Sequence, residues 1–568
     1  MTSLSNHIVP IPSHLDYYDL GTHHQPIETG SIDAQVWFDR GLLWCYGFNH
    51  EEAAKCFDQA LAHDGKCAMA HFGLAYALGP NYNKPWEAFD PADQDETLKR
   101  AHSAAVRAKI HATTKNPMEQ ALVEAIQYRY PVSRKAGDDF SQWNQNYANA
   151  MANVYKEFPH DLGVAVLYAD ALMNLNPWSL WVIETAKPTE GAKTMEIQEI
   201  LEQALARPGG RKHPGLLHLY IHFMEMSPTP EAALAIADDL RGLVPDSGHL
   251  NHMPSHLDML CGDYRRAIAS NQAASAADHK FLTREGPINF YTLYRSHNFH
   301  FTIWAAMFAA QSKPAFEATT SLENSIPEQL LQVRSPPMAD WLEAFRAIRP
   351  HVLIRFGRWQ EIVDMALPKN QELYCTVTTT AHYAKGVAYA ALGRLKDAEA
   401  ERVLFLKTLG QIPPSRMLFN IKASDLLLVG DAMLDGELEY RKGNFEAAFT
   451  HLRNAITRED ELPYDEPWGW MQPTRHAYGA LLLEQDRIEE AAEVFATDLG
   501  FNDSLPRQLQ HPNNVWALAG YSECLTRLNR HAEARILAPQ LRLALATADV
   551  PLTSSCYCRL GNISGRCC

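Results

Sequence analysis

Apolar residues along the chain gather in helical blocks rather than in alternating runs. Large side chains share a helical face with small ones, and turn signals such as LGRLKDAEA and RKGNFEAAF separate one block from the next. No stretch alternates with period 2 and no strands alternate with helices, so the pattern predicts an all-α chain of paired helices. The blocks also repeat. One carries Trp37, Gly41, Ala53, Phe57 and Ala60, and another Gly386, Tyr389, Gly393 and Ala398. A third carries Gly436, Gly443, Ala448, Leu452 and Ala455, a fourth Gly479, Ala491 and Phe495, and a fifth Trp516, Gly520 and Ala534. Two more lie mid-chain in register, since Ile221, Ala233 and Leu240 stand 34 residues before Ser255, Ala267 and Ala274.

That spacing is the frame of the tetratricopeptide repeat (TPR), a helix–turn–helix of about 34 residues. Its small residues let paired helices approach closely, and its large ones fill the gaps between repeats. The expected fold is therefore a TPR-type helical superhelix (an α-solenoid) with a His-lined concave groove. The chain divides into an arm (1–33), N-terminal helical pairs (34–130), an irregular helical segment (131–212), central His-rich repeats (213–325), C-terminal repeats (326–548) and a Cys-containing tail (549–568). Within 131–212 the stretch NLNPWSLWVIETAKPTEGAK reads as a long loop.

Composition narrows the function classes. The 568 residues carry 51 Lys+Arg against 67 Asp+Glu, a net charge of −16, so no general electrostatic pull acts toward nucleic acid or an anionic membrane. No run of about 18 apolar residues is present to span a bilayer. The first residues show no basic start followed by an apolar stretch, so the expected location is cytoplasmic. The ten cysteines are scattered and form no disulfide framework. Cys556 and Cys558 stand close enough to bind one soft metal ion or to respond to redox conditions, and Cys567 and Cys568 add two thiols.

The central repeats carry the candidate chemistry. HPGLLHLYIHFMEM holds His213, His218, His222 and Glu225, and GHLNHMPSHLDML holds His249, His252, His256 and Met259. His218 and His252 occupy one repeat position, and His222 and His256 another. Residues four apart lie one above the other on a helix face, and packed helices stand about 8–10 Å apart, so imidazoles from both helices can converge. A third arm, NFYTLYRSHNFHFTIWAAM, adds His297 and His300. A lone histidine is more often structural, which is the reading given to His50, His382 and His476. Asp170 is a candidate supporting carboxylate.

HLYIHFMEMS, GHLNHMPSH and SHNFH resemble an uncharacterised family of TPR proteins of bacteria and fungi carrying a HMPSH motif, and the resemblance runs through FDRGLLWCYGFNHEEAAKCF, ALGPNYN and the SCYCR tail. In TPR proteins generally, the first-helix positions held here by His218, His222, His252 and His256 line a concave groove. Chaperone-binding members clamp a peptide carboxylate there with Lys, Arg and Asn, whereas this chain offers His and Glu. Imidazole-rich sets suit copper, iron or zinc. The metal ligands expected are His218, His222, His249, His252, His256, His297 and His300, with Glu225 as a catalytic carboxylate. Copper is favoured because there are more histidines than one zinc ion takes. Iron is possible through His222 and Glu225, and zinc through a bound water. The function expected is oxygen-using oxidation of a small organic substrate in the groove, near Tyr220, Phe290, Tyr291, Tyr294 and Trp304. The alternatives are a scaffold for a peptide or protein partner through the outer repeats, and a zinc hydrolase. No P-loop, dinucleotide fingerprint or GxSxG elbow occurs.

Overall fold

Gly41 shows why the first block folds as a helix pair. A Cβ at Gly41 would stand 2.7 Å from the Phe57 ring, and one at Gly73 only 2.3 Å from the same ring. Phe57 thus fills the space that glycine leaves on the helices before and after it. Gly479 and Gly520 flank Phe495 in the same way, each with a built Cβ 2.5 Å from the ring. Helix starts follow local chemistry: Ser31 caps Ile32–Tyr46 through the Ala34 N–H, and Asn49 caps His50–His63 through the Glu52 N–H.

The computed structural model describes residues 8–135, 137, 139–466 and 468–559. Among them the chain is all-α, built from helix pairs. Two antiparallel pairs of two-residue strands stand among the described residues, Trp181–Val182 with Lys187–Pro188 and Met417–Leu418 with Ile421–Lys422. The expected long loop after Leu175 is therefore partly ordered by the first of these pairs. The irregular helical segment 131–212 holds helices Ser141–Glu157, Leu162–Met173 and Thr194–Leu205. The five blocks outside the centre fold as pairs, for example Ala423–Arg441 with Phe445–Asp460. No described helix is long and apolar enough to cross a membrane.

The chain forms two compact units. One comprises Met1–Leu257 and Ala273–Arg284, and the other Asp258–Gln272 and Glu285–Cys568. In the first, helix Pro214–Glu225 is buried along its whole length. In the second, helix Thr292–Phe308 is buried at every position but Phe299. Both candidate histidine helices therefore belong to the interior.

Candidate metal centre

In the first unit, Pro214 opens helix Pro214–Glu225 at a position where no N–H is needed, and His213 caps it by accepting from the Leu216 N–H. The next His-bearing segment is broken. Helix Gly248–His252 ends at Met253, and Pro254, which has no N–H to donate, starts helix Pro254–Leu260. The short helix is anchored by Asn251, whose amide donates to the carbonyls of Val244, Pro245 and Ser247. Gly248 is required for close approach, because a Cβ there would fall 1.9 Å from Asp278.

These elements bring His218, His222 and His249 together, each offering a ring nitrogen, with the three nitrogens all within 4.8 Å of one another. All three are about 1% exposed. His218 donates Nδ1–H to the Tyr46 carbonyl at 2.6 Å, and His222 donates Nδ1–H to Glu225 Oε1 at 2.7 Å. Each is thereby fixed in the tautomer that leaves Nε2 with a lone pair. The Nε2 atoms of His218 and His249 stand 3.1 Å apart. His222 Nε2 is buried with no hydrogen-bond partner among the described residues. Ligand atoms about 2.0–2.1 Å from one ion lie at most about 4.2 Å apart, so ring shifts of under about 1 Å close this set on an ion.

His252 and His256 form an adjoining pair, their Nε2 atoms 2.8 Å apart. His256 donates Nδ1–H to Glu225 Oε2 at 2.7 Å. Two lone pairs do not face each other at that distance, so one of the two Nε2 atoms carries a proton and donates it to the other. Glu225 thus links the triad to the pair, one oxygen to each ring. Burial works to raise its carboxyl, but the charges and hydrogen bonds of His256 and His222 outweigh this and bring it down to about 2. Glu225 is completely buried and has both oxygens engaged, so it holds rings in place rather than facing an open reaction space. Burial, reinforced by neighbouring imidazoles, pushes His218 and His249 well below the ordinary histidine value. Burial lowers His222 too, against the pull of Glu225. Neutral imidazole is the form that ligates metal.

Sequence reasoning missed the aromatic wall. The Phe48 ring lies 4.5 Å from that of His218 and stacks on His222 and His249 at 5.8 and 5.3 Å. Tyr82 and Trp178 stand 5.3 and 5.6 Å from His222. Phe48 and Trp178 both adopt the left-handed backbone region, with φ of 54° and 58°, which bulky residues rarely do. The Pro/Trp-rich loop that supplies Trp178 was the available signal.

His297 and His300 lie in the second unit, on helix Thr292–Phe308. His297 Nε2 meets Glu466 Oε2 at 2.6 Å, both side chains being almost fully buried, and nothing in the sequence marked Glu466. His300 Nε2 faces Met471 Sδ at 3.0 Å while its ring stacks on Trp304. Burial, with His351 adding to it, pushes His300 down to about 3.

The remaining candidates make contacts of their own. Asp170 accepts from Tyr76 and Asn174, each at 3.0 Å, and no hydrogen bond joins it to a site histidine. His50 bonds the Ala77 carbonyl, His382 pairs with Glu401, and His476 donates to Asp498. Met259 is core. Tyr291 and Tyr294 stack on each other, and the Tyr220 hydroxyl reaches Glu202. Cys567 and Cys568 lie outside the described residues.

No protein-family description matches this chain, and none of the curated proteins does. Among solved structures it is similar to a monomeric mutant of IFIT1 with Gppp-AAAA, at 11% identity and TM-score 0.33, covering 89% of this chain and 96% of that one. It is likewise similar to yeast Tom70, at 12% identity and TM-score 0.28, covering 90% and 92%. A third is the Cut9–Hcn1 hetero-tetramer, at 12% identity and TM-score 0.28, covering 90% and 87%. Likenesses this distant say nothing of what the chain binds.

Proposed function

We propose that this chain is a metal-dependent oxidoreductase in which His218, His222 and His249 hold a transition-metal ion, copper by preference, for oxygen-using oxidation of a small organic substrate. One observation carries the metal reading. Three buried imidazoles, two with Nδ1 already tied to fixed acceptors, present their remaining nitrogens to one small volume. Copper bound there would supply one-electron redox chemistry and reactivity toward dioxygen. The side chains do the rest. Tyr46 and Glu225 orient the rings, and Phe48, Tyr82 and Trp178 keep the site dry, which strengthens every electrostatic contact inside it.

Copper is preferred over zinc because a second imidazole pair, His252 and His256, adjoins the triad through Glu225, more nitrogen than one zinc ion takes. Iron remains an alternative ion on the same ligands. A three-histidine set with an open fourth position also suits hydrolysis by a zinc-bound water, which is the second reading. We also place the chain, on its HMPSH segment, with the TPR proteins of bacteria and fungi that it resembles.

The test is elemental analysis of untagged protein together with oxygen uptake in the presence of small aromatic and aliphatic substrates. Bound copper or iron, lost in His249→Ala, with oxygen uptake in the wild type, is the expected result. Zinc alone with no oxygen uptake would move the chemistry to hydrolysis. Absence of any metal, with a stoichiometric protein recovered in a pull-down that survives chelation, would turn the reading to a scaffold acting through the outer repeats.

A further inference from the structure

Cys556 and Cys558 are anchored in the second unit. The Ser555 hydroxyl donates to the His476 carbonyl at 3.5 Å, and Arg441 donates to the Cys558 carbonyl. Arg559, the next residue, grips Glu523 with bonds of 2.7 and 3.0 Å. This clamping gives the two thiols one local geometry. The Cys558 N–H donates to Cys556 Sγ at 3.2 Å, and the Cys558 thiol reaches the Ala477 carbonyl at 4.0 Å. Cys556 is partly exposed while Cys558 is buried.

A cation completes the arrangement. Arg355 is 5% exposed, its guanidinium lies 4.8 Å from the Trp516 ring, and Trp516 meets Tyr557 edge to face. Arg355 donates to His476 Nδ1 at 3.1 Å, and His476 Nε2–H donates in turn to Asp498 at 2.9 Å. Its charge acts on both sulfurs. The hydrogen bond from Cys558 lowers the Cys556 thiol against the opposing effect of burial, with Arg355 adding to the lowering, while burial and the neighbouring sulfur raise Cys558. Cys556 is thus the more readily ionised thiol of the two and Cys558 the less, the division of labour found in two-cysteine redox sites.

We infer that Cys556 and Cys558 form a two-thiol redox site for a hydroperoxide, with Cys556 as nucleophile, Cys558 as resolving thiol and Arg355 as the group that holds the thiolate. The Cys556 thiolate attacks one oxygen of the hydroperoxide. A sulfur–oxygen bond forms, the oxygen–oxygen bond breaks, and the alcohol (water, for hydrogen peroxide) leaves after taking a proton. The Cys558 sulfur then displaces the hydroxyl from Cys556. The sulfur–sulfur bond forms, the sulfur–oxygen bond breaks, and water leaves with the Cys558 proton. Two thiols have given two electrons to the hydroperoxide, and an external thiol returns the disulfide to the reduced state by exchange. This site is independent of the metal centre.

The experiment treats the full chain with hydrogen peroxide, blocks residual thiols and maps disulfides by peptide mass spectrometry. A Cys556–Cys558 disulfide that dithiothreitol reverses is expected. Cys558→Ser should stop at a sulfenic acid on Cys556, trapped by dimedone. Arg355→Gln should slow oxidation by about tenfold, and Arg355→Lys should restore most of the rate. Both thiols remaining reduced under excess peroxide, or disulfides forming only with other cysteines, would overturn the proposal. So would Cys558 oxidising at the wild-type rate in Cys556→Ser. The Cys558→Ser result decides the nucleophile even where an Arg355 variant fails to fold.

Discussion

Replacing Glu225 by glutamine preserves shape and volume but changes what the side chain can accept. The carboxylate receives Nδ1–H from His222 and from His256, each at 2.7 Å. A glutamine can offer its carbonyl to one of these rings, leaving its amide N–H₂ facing the N–H of the other. Two buried donors in contact cost about 1–3 kcal/mol, so that ring relieves the clash by moving its proton to Nε2. A protonated Nε2 does not ligate metal. Loss of one such supporting partner weakens metal binding by about 10–100-fold, equivalent to ~1.4–2.7 kcal/mol. The assay is competition against a chelator of known affinity at fixed pH, with far-UV circular dichroism to show that the helices persist. Unchanged metal affinity would refute the linking role given to Glu225. If activity were abolished at the same time, the carboxylate would be catalytic, as the sequence alone led one to expect.

His218→Ala and His249→Ala should each lower metal content, and the double variant should be little worse than either, because ligands on one ion are not additive; full metal in both single variants, by elemental analysis, would end the shared site. Gly248→Ala should destabilise the first unit by about 1–3 kcal/mol, read as a lower urea midpoint, because the new Cβ would stand 1.9 Å from Asp278. Glu459, which accepts from the Thr474 N–H and hydroxyl at 2.9 and 2.5 Å, is raised by burial to about 8 from an ordinary 4.5. Its protonated form is the one the fold favours, so its contribution is full below the unfolded value and is lost as pH rises through about 8. Stability should therefore decline by at most about 1.4 kcal/mol per pH unit across that window, and Glu459→Gln should flatten this part of the curve in urea titrations.

The helical architecture was legible because its signals are local. Gly41 with Phe57 and Gly479 with Phe495 encode close helix crossings in residues that recur at fixed spacing, and the structure realises both. The pairing of His218 with His222 and of His252 with His256 was legible for the same reason. What the sequence could not give depends on tertiary placement. His249 was an expected ligand, but its contact with His218 was not legible, because Pro254 breaks the helix that carries it and Asn251 fixes the short piece left over. Tyr46 supports His218 from 172 residues away, and Trp178 reaches His222 from a loop. Glu225 carried a catalytic expectation from its spacing to His222 on one helix face. Its actual contacts follow from one carboxylate lying between two helices.

The burial of the cluster bears on which alternative survives. A peptide-binding groove needs groups that a peptide can touch, and His218, His222, His249, His252 and His256 are at most about 1% exposed. A purely structural role meets a different difficulty. Each buried ring nitrogen needs a partner, and one left without costs about 1–3 kcal/mol. His222 Nε2 is such an atom among the described residues, and it lies beside other imidazoles. Burial holds His218 and His249 well below the ordinary histidine range, so protonation is not the answer the site gives at neutral pH. Leucine at these positions would fill the same volume without any of these costs. A single cation coordinated by the triad would give His222 Nε2 a partner and would take the place of the hydrogen bond that joins His218 Nε2 to His249 Nε2 at 3.1 Å.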